Sequence, residues 1–316
     1  MEFLYWLEGL RNPVCDFFFR WLTELGGETV FMVAAITVFW CVNKKWGYYI
    51  FTVGFFGTVL NQFLKLVYRI PRPWVVDEKF TIVEAARSGA TGYSFPSGHT
   101  QNAVGTFGGL ALCARKRWPK WAIGGLLALV VLVPFSRMYL GVHTPLDVGV
   151  AFGCAAVLLL AFYPLVMKSD EKPVLMYLLF GGMLACMAAY ICYVNIALNA
   201  DMFRTYEGEI DNYTEGVKNG WTLTGAMLGL LVTYVYDTRV LRFDVRATPI
   251  GQVLKLALGL TIVIAIRLGL SKLFSALFPG QAVWNLPRYF LMTVFAGCIW
   301  PHSFPFWSRL GEKKEA

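Results

Sequence analysis

The chain has 316 residues, of which 57% are hydrophobic and 15% charged, and its mean hydropathy is +0.54. Soluble domains carry about 25% charged residues, so this balance excludes an ordinary soluble protein and points to one embedded in lipid. The formal net charge of +8 is no argument for nucleic acid; it fits loops that face anionic lipid and set topology. Residues 1–26 mix bulky apolar side chains with Glu8, Arg11, Asp16, Arg20 and Glu24. That is too much charge for a span, and it reads as an interfacial segment of one or two amphipathic helices broken at Asn12-Pro13. No secretory signal is expected, because no short basic region leads into an apolar core and a small-residue cleavage site.

Apolar runs then predict spans at roughly 27–42, 47–68, 98–114, 121–140, 146–166, 173–197, 219–236, 252–271 and 287–304, about nine in all. The expected fold is an all-α polytopic membrane helical bundle. It is read as a single membrane domain over 1–316, with core spans in 27–170 and additional C-terminal spans in 171–316. The seven cysteines sit mostly inside apolar runs without ligand spacing, so neither disulfides nor a structural metal is expected.

Loop charge sets the orientation. Lys44 and Lys45, Arg115 to Lys120, Lys168 and Lys172, Arg239 to Arg246, and Arg309, Lys313 and Lys314 form one basic set, which the positive-inside rule makes cytoplasmic. The opposite set is acidic, with Asp77, Glu78 and Glu84, then Asp201, Glu207, Glu209, Asp211 and Glu215. With nine spans the N-terminus lies outside and the C-terminus inside.

Three polar patches fall on the outer face. In "KLVYRIPRP", Lys65 and Arg72 are seven residues apart, about two helical turns, so they can share a side; Pro71 and Pro73 stop the helix. Alone, such residues read as interfacial anchors. In "PSGH", Ser97 can cap a helix and Gly98 lets a ligand approach the backbone, while the helix start favours an anion. In "SRMYLGVHTPLD", Thr144 can cap the next span, and His143 and Asp147 are four apart, so they can meet along one helix side. A carboxylate beside an imidazole fixes one ring nitrogen as protonated and leaves the other free. Two of the three histidines and several cations thus share one face; His302, near the cytoplasmic end, reads as interfacial.

In order, identity and spacing, Lys65-x6-Arg72-Pro73, Pro96-Ser97-Gly98-His99 and Ser136-Arg137-x5-His143-x3-Asp147 resemble the three-part signature of the type-2 phosphatidic acid phosphatase superfamily. The resemblance covers about residues 47 to 166. It implies a phosphatase in which His143 attacks phosphorus and Asp147 orients it. His99 would protonate the leaving oxygen and then activate water, and Lys65, Arg72, Ser97, Gly98 and Arg137 would hold the phosphoryl oxygens. No cofactor and no metal are implied.

The expected substrate is a phosphorylated lipid of the phosphatidate, phosphatidylglycerophosphate or polyprenyl diphosphate type, entering from the surrounding membrane lipids. Three alternatives stand beside it. The layout of spans resembles the glucose-6-phosphatase branch, and a carrier could reuse the fold with Arg267 on a polar path. A haloperoxidase is disfavoured because that branch is soluble. The long loop from Trp74 to Phe95 reads either as a lid or as a passive connector. Asn212-Tyr213-Thr214 fits a glycosylation acceptor.

Overall fold

Long apolar segments in lipid must satisfy their own backbone groups, and helices do so. The computed structural model describes residues 1–199, 202–203 and 212–310, and among these it contains helices and turns but no strand. Five segments are long and apolar enough to cross a membrane: Lys44–Val76, Lys120–Tyr139, Pro145–Met167, Val174–Ala197 and Pro249–Leu277. A sixth is counted if Pro13–Glu24 and Glu28–Val42, bent by 51°, form one broken span. The protein is an integral membrane protein.

In chain order the helices are α1 (Glu2–Glu8), α2 (Pro13–Glu24), α3 (Glu28–Thr37), α4 (Lys44–Tyr68), α5 (Pro73–Val76), α6 (Gly98–Ala103), α7 (Gly109–Ala114), α8 (Lys120–Tyr139) and α9 (Pro145–Met167). They are followed by α10 (Val174–Cys192), α11 (Asn212–Tyr236), α12 (Pro249–Leu277), α13 (Asn285–Val294) and α14 (Phe304–Arg309). Four expected spans are not plain α-helices: 27–42 ends in a π turn at Val38–Val42 and 173–197 in one at Tyr193–Ala197. The 98–114 segment is α6 and α7 joined through a π turn at Val104–Gly108, and the 287–304 segment leaves α13 through a π turn at Phe295–Ile299 and a 3₁₀ turn at Trp300–Ser303 that contains Pro301. The expected break at Asn12-Pro13 is there: the Asn12 side chain caps α2 by accepting from the Cys15 N–H at 3.0 Å. Asp201, Glu207, Glu209, Asp211, Lys313 and Lys314, used above for orientation, lie outside the described residues.

The chain divides into two compact units. The first comprises Met1–Ala35, Tyr49–Met167 and Asn199–Gly216; the second comprises Ile36–Tyr48, Lys168–Leu198 and Val217–Ala316. In the second unit α12 packs on α13 and α14. Its Lys255 is fully buried and donates to the carbonyls of Trp40 at 2.9 Å and Val245 at 3.0 Å, with the Phe304 ring 4.4 Å away. Lys44 pairs with Asp237 at 3.0 Å in the same unit.

The first unit carries all three signature patches. Its α6 packs against α8 and α9, while α1 and α2 lie across α8. The 74–95 loop is tied down on that side. Leu4, Leu7, Phe80 and Ile82 form one buried cluster; Ala86, Ala90, Tyr139, Leu140 and Val142 form another, with Phe19 and Trp74 packed on its edge. Arg11 donates to the carbonyls of Thr81 at 2.8 Å and Tyr139 at 3.0 Å, and Tyr5 donates to Asp77 at 2.8 Å. This packing disfavours a passive connector, since each fully buried leucine contributes roughly 1.5–3 kcal/mol.

A turn after α8 sets the spacing from Arg137 to His143. Gly141 has φ +82°, its N–H bonds the Met138 carbonyl at 3.0 Å, and the Val142 N–H bonds the Arg137 carbonyl at 3.1 Å. This is the Schellman pattern of a helix C-terminus, which wants glycine at the left-handed position. A β-carbon there would also stand 2.6 Å from Arg11 Nη2 and 3.1 Å from the Phe80 ring. Gly141→Ala should therefore cost about 1–3 kcal/mol. The check is the unfolding midpoint in detergent; an unchanged midpoint would contradict the assignment.

Candidate active site

Helix α4 ends at Tyr68, and Arg69 takes a left-handed φ of +50°. The Arg69 guanidinium offsets that strain by donating to Leu66 and Met202 carbonyls, both at 2.9 Å, and lying 4.5 Å from the Phe203 ring. The chain turns there, so Lys65 and Arg72 do not share a helix side as their spacing suggests. Arg72 sits instead on extended backbone held by the prolines around it, and its side chain is folded inward.

Ser97 caps α6, accepting from the Thr100 N–H at 3.4 Å and the Thr100 hydroxyl at 3.0 Å. The Ser97 N–H in turn donates to the Asp147 carbonyl at 3.1 Å, which joins the start of α6 to the start of α9. Asn61 on α4 donates to the Pro96 carbonyl at 3.2 Å. A β-carbon on Gly98 would meet nothing closer than 3.9 Å, so the backbone there is open to approach. His99 is half-buried and within electrostatic reach of Arg137 and His143. Gly26, after α2, packs so closely against it that a β-carbon would lie 2.8 Å from the His99 carbonyl.

His143 does not lie on α9, as the four-residue spacing suggested; it precedes the cap. Thr144 and Asp147 form a reciprocal cap, with the Thr144 N–H to Asp147 Oδ2 at 2.7 Å and the Asp147 N–H to Thr144 Oγ1 at 3.2 Å. This cap brings Asp147 Oδ2 to 3.6 Å from His143 Nδ1. His143, Asp147 and Arg137 are each about 1% exposed.

Arg72 Nη1 approaches His143 Nε2 at 2.9 Å and donates to the Val142 carbonyl at 2.9 Å. Its Nε donates to Gly92 at 2.9 Å and its Nη2 to Thr91 at 2.7 Å. Lys65 donates to the Tyr93 carbonyl at 2.9 Å. Arg137 donates to Thr23 Oγ1 at 2.9 Å and the Gly89 carbonyl at 3.3 Å, and its buried Nε has no hydrogen-bond partner. The structure thus gathers the signature residues of all three patches in one unit.

It also adds partners that the pattern did not single out. Ser94 Oγ donates to Asp147 Oδ2 at 2.6 Å, Thr23 holds Arg137, and the 89–93 carbonyls accept from the three cations. Carbonyl partners leave no trace in residue identity. Ser94 stood two residues before "PSGH" and was the one legible signal. Among the described residues no group of three or more His, Cys, Asp or Glu side chains has metal-ligand geometry.

The family model described as "PAP2 superfamily" matches residues 45–171, which contain every signature residue. A second, "PAP2 superfamily phosphatase, transmembrane extension", matches residues 221–311. The chain belongs to the PAP2 superfamily. It is 34% identical over 106 residues to undecaprenyl-diphosphatase BcrC of Bacillus subtilis (strain 168), covering 34% of this chain and 50% of that protein. It is 28% identical over 168 residues to sphingosine-1-phosphate phosphatase 1 of Rattus norvegicus, covering 52% and 38%. It is 33% identical over 128 residues to an undecaprenyl-diphosphatase of Sulfolobus acidocaldarius, covering 40% and 59%. Against these curated relatives the chain spans between 38% and 59% of their length. No solved structure matches it significantly.

In this PAP2 site, burial holds the His143 pKa well below the usual histidine range, and Arg72, Arg137 and Lys65 push it the same way; a hydrogen bond with the Ser94 backbone works against them. A histidine buried neutral gives stability that is complete above its unfolded pKa, about 6.5. The unfolded chain binds the proton first, so stability falls as pH drops below that value. The unfolding midpoint in detergent should therefore decline from pH 6.5 towards pH 5, and the decline should shrink in His143→Gln. Equal pH slopes for the two proteins would contradict a buried neutral His143.

Proposed function

We propose that this protein is a membrane phosphatase that hydrolyses a lipid phosphomonoester or diphosphate through a phosphohistidine at His143, without a metal. The observation that carries the reading is the His143–Asp147 pair set among Lys65, Arg72 and Arg137, with a buried, unpartnered Arg137 Nε. A nucleophile alone would need no cations, and an anion site alone would need no His–Asp pair.

In this reading the substrate's phosphoryl group enters between Arg72 and His143, and the Arg72 Nη1 contact passes from Nε2 to a phosphoryl oxygen. Nε2 attacks phosphorus while His99 protonates the departing oxygen; His99 then takes a proton from water, which attacks the phosphohistidine and releases phosphate. Asp147 stabilises the positive charge on the ring, and Arg72, Arg137, Lys65, Ser97 and the Gly98 N–H hold the spreading negative charge. A lipid substrate is supported by the undecaprenyl-diphosphatase and sphingosine-1-phosphate phosphatase relatives. It is also supported by depth: Lys65 and Arg137 end helices, while Ser97 and Thr144 start them, so a headgroup phosphate can reach the site with its tails still in hydrocarbon.

We place about nine spans in the chain, with residues 1–26 in the interface, the N-terminus and site on the non-cytoplasmic face and the C-terminus in the cytoplasm. All of 1–316 forms one membrane domain in this proposal; 27–170 carry the chemistry and 171–316 supply further spans.

Purified protein in nanodiscs should release phosphate from a polyprenyl diphosphate or sphingosine 1-phosphate, persist in excess chelator and be blocked by orthovanadate. His143→Ala should abolish release. Release only from glucose 6-phosphate, or dependence on added magnesium, would overturn the reading. Asp147→Asn keeps an oxygen for the Thr144 and Ser94 bonds, so it should fold, yet turnover should fall by about 10⁴ if the wrong tautomer results. A loss of tenfold or less, measured as kcat on the same substrate, would make Asp147 mainly a cap.

A further inference from the structure

We propose that Ser94 is a positioning residue for the nucleophile: its hydroxyl links the imidazole of His143 to the carboxylate of Asp147 and sets which ring nitrogen is free to attack. The proposal rests on the reading that His143 is the nucleophile. The argument starts from Arg72, whose guanidinium can only donate. Its Nη1 lies 2.9 Å from His143 Nε2 and 3.5 Å from Nδ1, so the shorter contact assigns the lone pair to Nε2 and the proton of the neutral ring to Nδ1. Nδ1–H then needs an acceptor. Asp147 Oδ2 is 3.6 Å away, outside hydrogen-bond range, whereas both the backbone and the side chain of Ser94 face the ring, the backbone hydrogen-bonding it and Oγ standing 3.5 Å from Nδ1. Ser94 Oγ in turn donates to Asp147 Oδ2 at 2.6 Å, the short distance of a hydroxyl on a carboxylate. The tighter route from ring to carboxylate therefore runs Nδ1–H to Oγ, then O–H to Oδ2.

Ser94 is held for this task. It is fully buried; its N–H donates to the Ile70 carbonyl at 2.8 Å, and the preceding Tyr93 N–H donates to Asn212 Oδ1 at 3.1 Å. Both sides of the residue are anchored, so the hydroxyl has little freedom to leave the dyad. When Nε2 bonds to phosphorus the ring becomes cationic, Nδ1 keeps its proton, and the serine bridge passes the stabilisation of the carboxylate to the ring without moving a proton. Losing the bridge should therefore cost turnover rather than substrate binding.

Threonine and valine are near-isosteres that differ by the hydroxyl, so Ser94→Thr and Ser94→Val isolate it. Both are compared with Ser94→Ala and wild type on a polyprenyl diphosphate in nanodiscs, following kcat, KM and folding. Ser94→Thr should stay within about threefold of wild type, whereas Ser94→Val and Ser94→Ala should lose about 10- to 100-fold in kcat with KM changed less than about twofold, the scale of a hydrogen bond to a charged group. Equal kcat for the threonine and valine variants, or a loss confined to KM, overturns the proposal. So does failure of both hydroxyl-free variants to fold while Ser94→Thr folds, since the hydroxyl is then purely structural. An inactive wild type overturns the phosphatase reading instead. An active wild type with an inactive His143→Ala and a normal Ser94→Val overturns only the role of Ser94.

Discussion

One oxygen atom, Oδ2 of Asp147, fixes the geometry around it. It accepts the Thr144 N–H that starts α9 and the Ser94 hydroxyl from the covering loop, and it faces His143 Nδ1. The Asp147 carbonyl takes the Ser97 N–H that starts α6. A buried carboxylate is costly unless its lone pairs are filled; here they are filled by groups from separate stretches of the chain. The electrostatic requirement of one ion therefore becomes a positional constraint on a loop, two helix starts and the His143 ring.

The cations pose the converse problem. Arg72, Arg137 and Lys65 lie close together with little negative charge to balance them, and such a cluster persists only if its donors are occupied. The carbonyls of Gly89, Thr91, Gly92 and Tyr93 occupy most of them, one stretch of backbone serving all three residues. This gives the loop a defined part, and it explains the packing of α1 and α2 over it: they hold the residues that hold the cations. Thr23 at the end of α2 even reaches Arg137 directly. A phosphoryl dianion would satisfy the same donors and add the charge that carbonyls lack, with the orphaned Arg137 Nε as its ready contact.

The sequence reveals the identities at this site more fully than the paths that bring them together. Lys65, Arg72, His99, Arg137, His143 and Asp147 were all legible, because charged groups are scarce in so apolar a chain. The helical reasoning about how they meet was not sound. Lys65 and Arg72 meet because α4 stops and Arg69 turns left-handed; His143 and Asp147 meet through a cap, not along a helix face. Periodicity presumes a continuing helix, and both pairs straddle a helix end. Ser97 capping α6 and the break at Asn12-Pro13 follow from local side-chain chemistry and were readable. Thr23 and the 89–93 carbonyls were not, since their partners lie far off in sequence and a carbonyl is the same for every residue. Span counting was limited in a similar way, because π and 3₁₀ turns divide segments whose composition reads as continuous.

The central claim is that this cluster exists to transfer a phosphoryl group to Nε2 of His143. Trapping the intermediate tests it most directly. A polyprenyl diphosphate labelled at its terminal phosphorus is mixed with the enzyme for a time shorter than one turnover. The reaction is quenched in base, where phosphohistidine survives, rather than in acid, which hydrolyses it, and the labelled peptide is mapped. The account predicts label on His143, formed and lost at rates that match turnover. Label on another residue, or none while turnover proceeds, would contradict it.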